Sequence, residues 1–190
     1  MVGAGEALGS LAAVLLLALP AASAQAQSLE VIGACRDGVP NGNYELRMPD
    51  GRLRVVGAFG HGRKTGTFIF WTSGGARVAV IPYDDDVRSG TVASWYVTPG
   101  ARIENRRKLE APYVADRLHG VVRSWYPNGA LRAQYRYEQG ALIEAHAWTD
   151  DSAALPEGEA MSRAVRDAEA DQRFIDALTA LVQDHLPHCD

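Results

Sequence analysis

The strongest pattern in the sequence is a repeated alternation of short apolar segments and turn-forming peptides between residues 42 and 148. Segments rich in aromatic and β-branched residues, such as 67–71 and 121–126, precede peptides that contain glycine. Segments of this composition bounded by turn residues predict β-strands. Asp-Gly and Asn-Gly supply the positive φ angles that tight turns require. The pattern therefore predicts one β-hairpin per repeat.

Glycine and tryptophan positions set the period of the repeat. Each repeat contains two glycines, and the first of them recurs at spacings of 24, 24 and 30 residues. The second glycine follows the first by nine or ten residues, and in three repeats a tryptophan stands five residues after the first glycine. Repeated hairpins of this kind form an antiparallel meander, with the first glycine expected in the loop that reverses the chain. The first glycines are Gly42, Gly66, Gly90 and Gly120, the tryptophans are Trp71, Trp95 and Trp125, and the second glycines are Gly51, Gly75, Gly100 and Gly129.

After Trp148 the apolar period changes to that of a helix. Apolar residues from Met161 onward fall at three- and four-residue steps, Pro156 suits the first helical turn, and Pro187 stops the helix. We expect this stripe to be buried against one side of the sheet, although an amphipathic helix offered to a partner is the alternative. The predicted fold is mainly β and forms one domain, with the repeat sheet over 27–150, its last strand near 142–148, and the C-terminal helix within 151–190.

The hairpins resemble the MORN repeat, in the variant found in bacterial antitoxin-like proteins, where a Trp-Tyr-x-Asn-Gly hairpin recurs. The segment 125–129, Trp-Tyr-Pro-Asn-Gly, followed by Leu131 is the nearest copy, and Trp95-Tyr96 and Trp71 with Gly75 are degraded copies. The resemblance covers about residues 42–148. It implies an array of β-hairpins that binds proteins or lipid headgroups and brings no catalytic residue, and its antitoxin variant implies a toxin partner.

The first residues have the pattern of an export signal. No charged residue lies between Ala7 and Leu29, and small residues after the apolar run offer cleavage sites behind Ala24 or Ala26. We therefore predict a signal peptide over residues 1–26 and a periplasmic or secreted protein. The apolar run has about half the length of a bilayer span, so the cleaved chain is not expected to span a membrane. A short membrane anchor is the alternative.

Two cysteines remain in the exported chain, Cys35 and Cys189. An even number of cysteines in an oxidising compartment predicts a disulfide. This bond would join the end of the helix to the first strand region. The alternative is two unrelated thiols.

Charge and residue types narrow the possible chemistry. A net charge of −4 argues against a nucleic-acid partner, because proteins that neutralise phosphates usually carry a basic face. His185, His188 and Cys189 are metal ligands by type but lie at or beyond the expected end of the helix, and the run 84–86 of three aspartates suits a solvated turn. The histidines of the repeats, His119 and His146 among them, have no nucleophile or paired carboxylate placed beside them. We expect no catalytic residue, metal or cofactor, and hence no enzyme.

The aromatic residues give the candidate binding site. Adjacent residues of a strand face opposite sides, so each Trp-Tyr pair is divided between the two faces of the sheet. Trp71, Trp95 and Trp125 are expected to form a buried stack about 10 Å apart, with Tyr96 and Tyr126 on the other face. Alternatively, one of these rows is an exposed aromatic strip that binds a partner. Counted from the second glycine, the arginines do not form a regular row.

The predicted function is a non-catalytic module of the cell envelope that binds or scaffolds a protein, lipid or cell-wall surface. An antitoxin or immunity-type protein that neutralises a toxin is the first alternative. A small hydrolase is the second, and it would require a concave pocket where His119 or His146 meets a carboxylate.

Overall fold

The structure is a computed structural model and describes residues 28–97 and 106–190. Within these ranges twelve strands are followed by one helix, which confirms the predicted mainly β fold. The predicted signal peptide and the turn predicted at Gly100 lie outside the described residues. The elements are β1 (Glu30–Arg36), β2 (Val39–Arg47), β3 (Leu53–Gly60), β4 (Arg63–Trp71), β5 (Arg77–Asp84), β6 (Val87–Arg88), β7 (Gly90–Trp95), β8 (Arg107–Val114), β9 (Arg117–Leu118), β10 (Gly120–Trp125), β11 (Leu131–Glu138), β12 (Ala141–Ala147) and α1 (Glu157–Gln183).

All the strands join one antiparallel meander. The order across the sheet is β1-β2-β3-β4-β5-β7-β8-β10-β11-β12. The two-residue strands β6 and β9 pair with β5 and β8 and directly precede β7 and β10, so each begins a longer strand that is interrupted by one residue. The predicted meander is confirmed, and β12 is the extra strand expected near residues 142–148.

The tight turns do not lie where the first glycines predicted them. Two-residue turns stand at 37–38, 61–62, 85–86, 115–116 and 139–140, whereas Gly42 and Gly66 lie inside strands β2 and β4. The glycine pattern misses two of these turns because the Asp-Asp pair at 85–86 and the Ala-Asp pair at 115–116 adopt positive φ angles without glycine. The first glycines still require their residue type, since their φ angles run from 68° to 117°.

The core lies between α1 and one face of the sheet. Aromatic rings fill its centre, where Phe59 contacts Tyr44 and Phe68 edge to face at centroid distances of 5.3 and 5.6 Å. From the helix side, α1 buries the small or branched residues Ala160, Ala164, Ile175 and Val182. The prediction that the helical stripe packs on the sheet is therefore confirmed.

The length of α1 matches the width of the sheet. Its 27 residues span about 40 Å at 1.5 Å per residue, and ten paired strands span about 43 Å at 4.8 Å per step. The helix crosses the strands from one edge to the other. Near its start Arg163 donates to the carbonyl oxygen of Trp148, which follows β12, and beyond its end the Tyr44 hydroxyl of β2 donates to the carbonyl oxygen of His185 at 2.9 Å.

A covalent bond closes the far end of the helix. Cys189 forms a disulfide with Cys35 of β1, with the two Cα atoms 5.7 Å apart, so the predicted pairing is confirmed. Pro187 approaches β1 so closely that a Cβ atom built on Gly33 would lie 2.5 Å from its Cγ. Within the described ranges, no helix has both the length and the apolar character needed to cross a membrane.

Candidate functional site

The three predicted tryptophans lie on the face of the sheet opposite α1. Each one ends a strand directly after a buried residue of the helix-covered face, and alternation turns its indole to the other side. They therefore do not form the buried stack expected from the sequence: none belongs to the core cluster, Trp95 is 8% exposed, and Trp71 and Trp125 are partly exposed. Their spacing of one tryptophan per two strands is as predicted.

Arginines occupy the positions between the tryptophans. Trp71 pairs across strands with Arg77, and Trp95 pairs with Arg107, so the two residue types alternate along β4, β5, β7, β8 and β10. The guanidinium carbons of Arg77 and Arg107 lie 4.0 and 5.0 Å from the centroid of the Trp95 ring. Each contact is a cation–π interaction worth about 0.5–1 kcal/mol. We call the row Trp71, Arg77, Trp95, Arg107 and Trp125 the Trp–Arg ladder.

A second row crosses the same face beside the ladder. Its members are direct cross-strand partners from β2 to β12, and they are Glu45, Val56, Ile69, Val80, Ala93, Glu110, Arg123, Gln134 and His146. The four apolar members Val56, Ile69, Val80 and Ala93 adjoin one another in the middle, and we call them the apolar patch. Polar and charged residues continue the row at both ends. An apolar centre with a polar periphery is typical of surfaces that bind proteins.

The predicted tyrosines lie on the helix side and tie strand ends together. The Tyr96 hydroxyl donates to the carbonyl oxygen of Trp125 at 2.8 Å, and the Tyr126 hydroxyl donates to that of Trp148 at 2.9 Å. Burial raises the pKa of Tyr96, so its hydroxyl stays protonated and keeps this bond at neutral pH. The five predicted aromatic residues thus separate into three on the open face and two on the covered face.

An ion pair holds α1 to the sheet near these tyrosines. Arg132 of β11 donates from both terminal nitrogens to the two carboxylate oxygens of Asp167, at 2.7 and 2.8 Å, and the Tyr135 hydroxyl donates to the same carboxylate at 2.8 Å. The hydrogen bonds that Arg132 donates to Asp167 raise the pKa of the guanidinium group, and burial, followed by the Asp167 contact, raises the pKa of the Tyr135 hydroxyl. The network is fully satisfied and fixes the position of the helix along its axis.

A histidine and a carboxylate do meet on the open face, as the hydrolase alternative requires. His146 Nε2 lies 2.8 Å from a carboxylate oxygen of Glu144, beside a cavity of about 280 Å³ that Val121, Gln134 and Arg136 also line. Hydrogen bonds from His146 and then Arg136 lower the pKa of Glu144. The described lining residues include no serine, threonine or cysteine, and both side chains are about half exposed. The pair is therefore better described as part of a surface ion-pair network with Arg136.

Sequence reasoning missed the arginines of the ladder and the apolar patch. Counted from the second glycine, Arg77 shares its register with Arg102, which lies outside the described residues. In the structure Trp95 pairs with Arg107 instead of with a residue two positions after Gly100, because the third repeat is six residues longer. The apolar patch follows from strand alternation once the register is known, but no single repeat displays it.

Comparisons and the metal-ligand geometry give no further assignment. In the described ranges, no group of three or more histidine, cysteine, aspartate or glutamate side chains is placed to hold a metal ion. No protein-family model matches the chain, and no curated protein and no solved structure matches it either. The MORN resemblance therefore stays a prediction from the sequence.

Proposed function

We propose that this chain is a non-catalytic module of the cell envelope that binds a protein partner with the open face of its sheet. The observation that carries the proposal is the Trp–Arg ladder next to the apolar patch, on the face that α1 does not cover. Tryptophan and arginine are the residue types most enriched among those that dominate protein–protein binding energy. The proposed MORN kinship supports the same function, because arrays of that family are binding surfaces.

Rigidity of the open face favours binding. The ladder and the patch lie on paired strands, so their backbone is already ordered before a partner arrives. Binding then loses little conformational entropy, which is the main cost that pre-organisation removes. Within the ladder, Trp71 and Trp125 are the contact residues, because Trp95 is largely buried between two guanidinium groups.

The disulfide supports the envelope location. Bonds of this kind persist in secreted and periplasmic proteins and are rare in reducing compartments. Cys35 and Cys189 are the two cysteines of the sequence, and they are paired with each other. A partner in the same compartment is therefore expected to be an exported or membrane-exposed protein.

Retention of the purified protein by envelope fractions tests the proposal. Immobilised protein would be mixed with envelope extract, protease-treated extract, vesicles of envelope lipid and purified cell wall in separate arms. We expect retention from the untreated extract and its loss after protease treatment. Removing two aromatic anchors, Trp71→Ala with Trp125→Ala, should weaken retention at least tenfold, because an anchor residue contributes about 2 kcal/mol or more.

A matched variant on the covered face supplies the control. Tyr126→Phe removes only a hydroxyl on the helix side, so it should leave retention unchanged, and thermal unfolding would confirm that all variants fold. Equal retention of the double tryptophan variant and the wild type would refute the role of the open face. Binding to lipid vesicles or cell wall with none to the protein fraction would refute the partner class.

A further inference from the structure

A polar cleft opens between α1 and the face of the sheet that the helix covers. Its volume is about 290 Å³, at the lower end of pockets that hold small molecules. Side chains from strands β8 and β11 face residues of α1 across it, and Tyr96 and the end of β10 at Trp125 also line it. The cleft is therefore sized for a ligand of a few heavy atoms rather than for a macromolecule.

Two of the four charged groups that line the cleft neutralise each other. Arg132 and Asp167 form the two-bonded ion pair described above, and Tyr135 completes the coordination of the carboxylate. This pair has little capacity left for a ligand. The other two charged groups are Asp171 of α1 and Lys108 of β8.

Asp171 and Lys108 lack direct partners within the part of the chain that the structure describes. No hydrogen bond or ion pair is made there by the Asp171 carboxyl, and the Lys108 ammonium only approaches the ring of Phe174, at 5.7 Å from its centroid. Burial raises the pKa of Asp171 to about 6, the Lys108 charge opposes this rise, and the Asp167 charge adds to it. At neutral pH the cleft thus presents one anion and one cation, each without a counter-ion in contact.

We propose that this cleft binds a small zwitterion, an amino acid or a similar amino-carboxylate, with its ammonium group on Asp171 and its carboxylate on Lys108. The carbon chain between the two charges would lie against the Tyr96 ring, and the aromatic surface also favours the ammonium group. A ligand with only one charge leaves the opposite charge of the cleft unpaired, which is unfavourable in a partly desolvated site. The proposal is separate from the open-face function, because it concerns the other face of the sheet.

Titration with a length series of zwitterions tests the proposal. The probes are straight-chain ω-amino acids from glycine to 6-aminohexanoate, measured by calorimetry at pH 8, where Asp171 is ionised. Butylammonium and butyrate are the singly charged controls. We expect one chain length to bind best, and at least about tenfold more tightly than either control, since a charge-assisted contact is worth about a factor of ten or more.

Variants assign the contacts. Asp171→Asn and Lys108→Met should each weaken binding of the best probe about tenfold. Glu169→Gln makes the same kind of change on the exposed side of α1 and should leave binding unchanged. Thermal unfolding would confirm that each variant is folded. The proposal is overturned if no probe binds below about 10 mM, if zwitterions bind no better than the singly charged controls, or if the two cleft variants bind like wild type.

Discussion

Replacing both cysteines by serine should remove a large part of the stability of the fold. The Cys35–Cys189 bond joins residues 154 positions apart, so it closes almost the whole described chain into one loop. On the chain-entropy relation, a loop of this length stabilises the native state by about 5 kcal/mol at 25 °C. Measured values usually fall below this limit, and we expect the double variant Cys35→Ser with Cys189→Ser to lose about 2–5 kcal/mol.

Urea unfolding followed by tryptophan fluorescence measures this loss, since the chain has four tryptophans. The midpoint should shift to lower urea, and wild type under reducing conditions should unfold at the midpoint of the variant.

A second effect of removing the disulfide is local. The bond lies beside the last contacts of the helical segment, the Tyr44–His185 hydrogen bond and the packing of Pro187 on Gly33, so amide exchange should accelerate first at the end of α1.

The reasoning would be refuted by a stability loss below about 1 kcal/mol with an unchanged urea dependence. That result would mean that the disulfide restricts the denatured chain very little and that the C-terminal tail stays packed on β1 in the native state without it. If amide exchange accelerated at the start of α1 before its end, the disulfide would not be the contact that holds the C-terminal end of the helix to the sheet.

Three further substitutions test the packing between helix and sheet. Because burial raises the pKa of Asp171 to about 6, its ionisation costs stability as the pH rises from about 4 to 6. Asp171→Asn should remove this loss, so urea unfolding should show a gain over wild type of up to about 3 kcal/mol at pH 8 that vanishes near pH 4. Gly57→Ala would place a Cβ atom 2.6 Å from the Phe68 ring and should lower the unfolding free energy by about 1–3 kcal/mol, whereas a neutral effect would show that the ring moves aside. Asp167→Asn should cost about 2 kcal/mol or more, because it leaves Arg132 without its carboxylate, and an unchanged thermal midpoint would contradict this.

Local and periodic features of the chain could be predicted without coordinates. The recurring glycines and tryptophans predict paired strands of constant length, and hairpins in series leave an antiparallel meander as the simplest topology. The helical stripe after Trp148 predicts both the helix and its buried face, and two cysteines in a chain with the pattern of an export signal predict their own pairing. The strands and the helix follow from residue spacing along the sequence, and the disulfide follows from the even number of cysteines in an oxidising compartment.

Only the tertiary structure decided which face each aromatic row occupies and what lies beside it. The second glycines marked the turns at 49–51, 73–75 and 127–129, but the tight turns at 85–86 and 115–116 contain no glycine, so the glycine pattern did not reveal those two reversal points or the strand register beside them. Because the third repeat has six extra residues, the strand partner of Trp95 is Arg107 and not a residue near Gly100. The cleft depends still more on folding, because Asp171 and Lys108 come from a helix and a strand that are 63 positions apart in sequence and meet only when α1 crosses the sheet.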